Sequence, residues 1–366
     1  MADMDVKQFV YRKGTAKGIP VSGTFELTSR CNFKCKMCYI QMSPEEQSVI
    51  GRELTTQQWL QVAQEAVKSG MIYLLLTGGE PLLRPDFVEL YTKLVQMGIM
   101  VSVNTNGSLI TEEIVECFRQ YPPEVVNITL YGASSCQYKA ICQNASGYEA
   151  AIRGIHMMKE AGVRMRLNTT FTRENCADMG ALIDFAKAEN IPIRTAAFLF
   201  PGNRNGNDDQ SGNLSPEEMG KLGAEFDYLT MDDAQNARRR KQLQDCLNDT
   251  AVKEKKPERK PAGCMAGRGS FWISWDGMMY TCGMLPDDAV NILEHEFADA
   301  WQQTRENAGK LMLPAECSVC EYQKICPSCA AVSQSVHQTQ GVLVPEMCQR
   351  TKAYVQTFLS LTDRSI

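Results

Sequence analysis

The 366-residue sequence has no long apolar run. None approaches the ~18 residues that a membrane-spanning helix requires, so no membrane partner is expected. Its first eleven residues, Met1 to Tyr11, carry acidic groups where a secretory signal would be basic and then apolar. A cytoplasmic location follows as the expectation. An excess of positive charge is also missing: 38 Lys and Arg stand against 43 Asp and Glu, for a net charge of -5. That balance supplies no basic field for a phosphate backbone and excludes nucleic acid as the expected partner. Histidine is scarce, with only His156, His295 and His337. Hydrophobic content of 44% and charged content of 22% exclude a wholly disordered chain. Internal repeats and long low-complexity tracts are lacking as well.

Against these absences stand fifteen cysteines. Without an export signal a reducing compartment is expected, where cysteines in such number point to metal binding or catalysis rather than disulfides. Three lie together at Cys31, Cys35 and Cys38. Seven lie between Cys264 and Cys348, and Cys117, Cys136, Cys142, Cys176 and Cys246 are scattered.

Between residues 24 and 200, short β-rich apolar runs alternate with segments of helical period. Strands are expected at Thr24 to Thr28, Ile72 to Thr77, Met100 to Asn104, Val125 to Leu130, Val163 to Thr169 and Ile193 to Phe198. The helices between them are stopped in several cases by glycine (Gly70, Gly98, Gly162). Six strands joined by helices imply an α/β fold with a parallel sheet and right-handed crossovers, a partial (β/α)6 TIM-like barrel. The length prior of roughly 2.4 domains allows a second, smaller unit. We therefore expect an N-terminal extension (1–22), a barrel (23–235), a charged linker (236–261), a cysteine-rich domain (262–350) and a C-terminal helix or tail (351–366). After Pro261 the composition shifts to Gly, Cys and aromatics with few helical periods. The basic run Arg238 to Lys241 and the stretch Lys253 to Lys260 read either as a solvated helix end and linker or as a surface that holds an acidic peptide.

The first cysteine group reads Cys31-Asn-Phe-Lys-Cys35-Lys-Met-Cys38, directly after the first strand and so at the barrel face that carries active sites. Three thiolates at these gaps can wrap one 4Fe-4S cube and leave its fourth iron open. A zinc knuckle with a fourth ligand is the alternative, although no His lies nearby. A second motif, Gly78-Gly79-Glu80-Pro81, ends the second strand. The two motifs at successive strand ends resemble the radical S-adenosylmethionine (SAM) superfamily. The resemblance implies that Cys31, Cys35 and Cys38 hold a [4Fe-4S] cluster and that SAM chelates the open iron. It implies further that the Gly78 to Pro81 turn engages the SAM amino group, with Glu80 offering its carboxylate. Reductive cleavage of SAM would then yield methionine and a 5'-deoxyadenosyl radical, with flavodoxin or ferredoxin as reductant. Met37 stands where the family usually has an aromatic residue beside the adenine. Asn104 and Asn106, Thr129 and Asn168 end the third, fourth and fifth strands at the same mouth, and Thr129 is the candidate for the ribose.

The second group runs Cys264, Cys282, Cys317-X2-Cys320-X5-Cys326-X2-Cys329, Cys348. Two CX2C pairs five residues apart suit one tetrahedral zinc, but leave Cys264, Cys282 and Cys348 unexplained. The seven-cysteine order is similar to the SPASM extension of radical SAM enzymes, with X2 where that family commonly has X3 before Cys329. This implies two auxiliary [4Fe-4S] clusters, one on Cys264, Cys282 and Cys329, the other on Cys317, Cys320, Cys326 and Cys348. Seven divided as three and four leaves the nearer cluster one ligand short. Cys246 is the upstream candidate, and an open iron is the favoured reading.

Enzymes of this layout modify peptides. The expected function is a maturase of a ribosomally made peptide, forming a thioether, a carbon-carbon cross-link or an oxidised residue. An anaerobic sulfatase-maturing enzyme is a second reading, but those carry an Asp after the second cysteine of this extension, and here Gly283 follows Cys282. A non-catalytic iron-sulfur or zinc scaffold is a third. Only thirty residues precede Cys31, so leader recognition is expected to use the N-terminal segment, the basic linker or a separate protein. Tyr131, Cys136, Cys142 and Asp276 are the candidate proton or hydrogen donors.

Overall fold

The computed structural model describes residues 6–196, 199–200, 212–249, 256–285 and 288–362. Six parallel strands form its centre: β1 (Ser22–Glu26), β2 (Tyr73–Thr77), β3 (Met100–Thr105), β4 (Val125–Thr129), β5 (Met165–Thr170) and β6 (Ile193–Ala196). The part of the sixth expected strand at 197–198 lies outside the described residues. Helices Thr56–Lys68, Phe87–Gln96, Glu112–Gln120, Gly147–Glu160 and Met179–Glu189 make the crossovers.

Period-two patterning decides what each strand shows to each side. Phe25, Leu74, Leu76, Val101, Val103, Val126, Ile128 and Leu167 are buried in one core with the helices. The intervening positions carry Thr24, Leu75, Ser102, Asn127, Arg166 and Arg194, which line a single cavity of about 650 Å³ reached from β1 through β6. One cavity touching all six strands requires the sheet to curl, as a partial barrel does. The N-terminal segment is helical at Val6–Lys17 and lies across the starts of the strands, where the Tyr11 ring meets Tyr73 at 5.2 Å.

The C-terminal region does not stand apart from this sheet. After β7 (Lys260–Pro261), β8 (Ser270–Ile273) pairs in parallel with β1, and β9 (Met278–Tyr280) and β10 (Val290–Asn291) continue outward in antiparallel sense. The nine-stranded order is β10-β9-β8-β1-β2-β3-β4-β5-β6. A short β11 (Met312–Leu313) pairs with β7. Three readings change here. The boundary drawn before residue 236 falls inside the helix Asp233–Leu247. The region after Pro261 is not poor in helix, since it contains Phe297–Lys310, Ala330–His337 and Pro345–Ser360. The tail helix begins at Pro345, so Cys348 sits in its first turn. That helix packs so closely on Pro216–Thr230 that a Cβ on Gly220 would lie 2.3 Å from the Arg350 carbonyl.

Candidate active site

The loop after β1 is tied to the loop after β2 by backbone hydrogen bonds and by Arg84, which donates to the Leu27 carbonyl at 3.2 Å. Gly79 N–H donates to the Thr28 carbonyl at 2.8 Å and Glu80 N–H to the Arg30 carbonyl at 2.9 Å. The approach leaves no room for side chains: a Cβ on Gly79 would lie 2.3 Å from the Arg30 carbonyl oxygen, and one on Gly78 would lie 2.6 Å from that of Thr28. Gly78 also has φ 154°, which disfavours other residues. The two glycines thus bring the second motif against the residues that lead into Cys31.

Glu80 is fully buried. Its carboxylate accepts from Thr105 Oγ1 at 2.8 Å, Leu82 N–H at 3.1 Å and Asn106 N–H at 2.7 Å. Burial pushes its pKa up to about 7 against these bonds, which pull it down. A carboxylate has about four acceptor directions, and three are used inside the chain. With these three bonds Glu80 buckles the end of β3 to the Gly-Gly turn. Asn106 is likewise a brace, donating to Asn32 Oδ1 at 2.8 Å, while Asn32 donates to Ser108 Oγ at 2.9 Å. Pro81 is buried and opens a short 3-10 turn.

Within the cysteine loop, Phe33 N–H points at Cys31 Sγ (3.4 Å), Gln41 N–H at Cys38 Sγ (3.2 Å), and Cys38 N–H closes a turn on the Cys35 carbonyl (3.0 Å). The loop is carried on the helix Ser135–Cys142: Lys34 and Lys36 N–H donate to the Cys142 and Ile141 carbonyls, both at 3.0 Å, and Phe33 meets Tyr138 edge-on. Burial pushes the Cys31 thiol up to about 12 and Cys38 up to about 11. Cys35 is raised by a hydrogen bond with the Cys142 thiol and by burial. Among the described residues no three His, Cys, Asp or Glu side chains converge on a single ion. These thiols suit a cluster instead, which takes one thiolate per iron and supplies the positive charge that burial withholds.

The remaining expected residues divide clearly. Met37 is half-buried beside Lys36 and Ile141 in a small crevice. Asn104 accepts from Asn127 Nδ2 at 2.8 Å, and Thr129 and Asn168 are register partners at the β4–β5 strand ends. Tyr131 lies against Cys35, Cys142 and Cys38, and burial raises its phenol well above the ordinary range. Cys136 is exposed on the helix Ser135–Cys142, and Asp276 sits in the β8–β9 hairpin turn, where Ser274 Oγ donates to it.

In the C-terminal region, Cys317 is raised to about 11 by burial and by Cys326, Cys348 and Cys320, which places the four together. Cys282 and Cys329 pack on one small core around Ala262, Leu285 and Ala330, two residues from Cys264. Cys246 is not with them. It is buried and donates to the Glu321 carbonyl at 3.0 Å, beside Cys320. The basic run is also largely structural: Arg239 donates to Tyr354 Oη at 3.1 Å, and Arg240 caps the carbonyls of Leu359 and Leu361. Of the stretch Lys253 to Lys260, residues 253–255 lie outside the described residues.

Sequence reasoning missed the buckle partner Thr105 and the inward pair Asn127 and Arg166. It also missed Trp272, whose Nε1 donates to buried Glu26 at 3.0 Å. The available signal was polar residues at period two inside apolar strands, as in Val-Val-Asn-Ile-Thr and Met-Arg-Leu-Asn-Thr.

Residues 25–186 match the family model of the Radical SAM superfamily. The matched segment holds the strands and helices of the α/β barrel expected from that resemblance. Along a greater length it is similar to an AdoMet-dependent heme synthase of Methanosarcina barkeri, 29% identical over 84% of this chain and 90% of that protein. It is similar too to an Fe-coproporphyrin III synthase of the same organism, 26% identical over 82% of this chain and 81% of that one. Solved structures share the fold: anSMEcpe with bound AdoMet (TM-score 0.70, 18% identity, 92% of this chain and 96% of that chain) and Streptococcus suis SuiB bound to precursor peptide SuiA (0.66, 16%, 92% and 79%). Among the described residues no helix is long and apolar enough to cross a membrane.

Proposed function

We propose that this radical SAM enzyme abstracts a hydrogen atom from a peptide or protein segment held inside the barrel, leading to a thioether, a carbon-carbon cross-link or an oxidised residue. When bound, a [4Fe-4S] cluster and SAM supply a 5'-deoxyadenosyl radical. The chain's part is to hold three thiols in a braced loop, to fix the Gly78 to Pro81 turn against it, and to present the substrate from below. The observation that carries the peptide reading is the polar interior layer Asn104, Asn127 and Arg166, all on inward positions in register. A peptide backbone satisfies such groups, whereas a flat apolar macrocycle would leave them unpaired. None of the three histidines offers an axial ligand there: His156 faces Glu189, His295 lines a groove by Glu65, and His337 bonds the Leu343 carbonyl.

A second reading, a carboxylate-bearing iron porphyrin as substrate, rests on the names of the relatives and on the basic residues at the cavity floor. The sulfatase-maturing reading loses its base for a physical reason: a Cβ at Gly283 would sit 2.7 Å from the Trp272 indole, so the position excludes Asp. The C-terminal cysteines are proposed to hold two auxiliary clusters, with flavodoxin or ferredoxin as reductant and a separate leader-recognition protein as a further partner. Deuterium transfer into 5'-deoxyadenosine tests the assignment. Transfer from a deuterated precursor peptide supports the first reading, and transfer from deuterated iron coproporphyrin III alone overturns it.

A further inference from the structure

The lower half of the barrel holds two adjacent polar side chains whose hydrogen bonding is incomplete. Asn127 and Arg166 are register partners on β4 and β5. Asn127 is 3% exposed; its Nδ2 donates to Asn104, while its Oδ1 is shielded from solvent and has no partner. Arg166 Nε is equally shielded and also has none. Neither atom bonds the other, and both residues line one cavity. Buried polar atoms left this way are uncommon and mark a place where something else binds.

The charge around the pair says what binds. Arg164, Arg166 and Arg194 line the same cavity of about 650 Å³. The carboxylate among its described lining residues is Glu124, already shared by Lys7 Nζ and Ser102 Oγ. Like charges gathered on a partly desolvated wall repel unless an anion joins them. Arg164 and Arg194 are exposed at the open side, where a charged ligand can enter. Arg166 lies one inward step, roughly 7 Å, below Asn168 at the mouth.

We infer that Arg166, with Arg164 and Arg194, forms a binding subsite for a carboxylate of the substrate, and that Asn127 Oδ1 accepts a hydrogen bond from a donor beside that carboxylate. Arg guanidinium is suited to this because its donors match a carboxylate in pairs. The inference rests on the reading that substrate enters the barrel. It narrows the substrate to one that carries a carboxylate, from an acidic peptide side chain or from a porphyrin propionate. An adjacent donor favours the peptide, whose backbone N–H lies beside an Asp or Glu side chain.

The test is equilibrium binding to the anaerobically reconstituted full chain with SAM. The probes are a fluorescent Asp/Glu-containing peptide, its Asn/Gln counterpart, iron coproporphyrin III and its tetramethyl ester. One acidic probe is expected to bind at least tenfold more tightly than its neutral counterpart. R166Q should remove that preference, R166K should keep part of it, and N127D should weaken the acidic probe by charge repulsion. R119Q, on an outer helix where Arg119 pairs with Glu116, controls for general effects of losing an arginine. The acidic peptide as the responding probe identifies a side-chain carboxylate, and the porphyrin a propionate. Neutral probes binding as tightly as acidic ones, or an acidic preference that survives R166Q in a variant of normal iron content, would overturn the subsite. Wild-type protein that makes no 5'-deoxyadenosine would fail the radical reading separately, without touching the binding result.

Discussion

Replacing Glu80 by Ala removes the acceptor for three donors at once: Thr105 Oγ1, Leu82 N–H and Asn106 N–H. Bonds to a charged acceptor contribute ~1.5–3 kcal/mol each, or about 4.5–9 together. Against them stands the desolvation of the buried carboxylate, which outweighs the bonds and leaves the pKa at about 7. Loss of the one bond to Asn106 N–H, ~1.5–3 kcal/mol, is roughly tenfold to a hundredfold in a local opening equilibrium. Hydrogen exchange of the segment spanning Thr105 to Ser108 reads this directly. Exchange at Asn106 should accelerate roughly tenfold to a hundredfold in Glu80→Ala, with cluster retention falling as the brace to Asn32 loosens. Unchanged exchange together with a large loss of SAM affinity would refute the reasoning and make Glu80 a ligand contact.

Cys246→Ala should leave the iron content of the reconstituted protein at its wild-type level, about twelve per chain if all three clusters form, because its thiol is spent on the Glu321 carbonyl; loss of about four irons would make it a ligand. Gly283→Asp should lower thermal stability and quench or shift Trp272 fluorescence, since the new Cβ overlaps the indole. Arg239→Ala should destabilise the C-terminal helix by about 1–3 kcal/mol in denaturant unfolding through loss of the Tyr354 hydrogen bond and ring contact. It should leave peptide affinity unchanged, and weakened affinity would restore the basic run as a docking surface.

The strands and both motifs were legible because their signals are local: period-two apolar runs, glycine stops and fixed cysteine gaps. Thr129 and Asn168 end β4 and β5 in register, whereas Asn104 lies one inward step below them, beside Asn127. What escaped depends on distant partners. Ser270 to Ile273 gives no local sign that it pairs with β1, some 250 residues earlier, so β1 was taken as an edge of the sheet. Glu80 looked like a free carboxylate because Thr105 and Asn106 reach it from the next strand end. Cys142 was a candidate donor with no partner legible in the sequence, and only the backbone bonds from Lys34 and Lys36 bring it against Cys35.

The most direct test of the radical assignment is formation of 5'-deoxyadenosine from SAM by the anaerobically reconstituted chain under a strong reductant, wild type beside the triple variant Cys31→Ala, Cys35→Ala, Cys38→Ala. Formation by the wild type, and none by a variant that has lost about four irons, is the predicted result. A wild-type chain that carries stoichiometric zinc, shows no iron-sulfur absorbance and leaves SAM intact would contradict it.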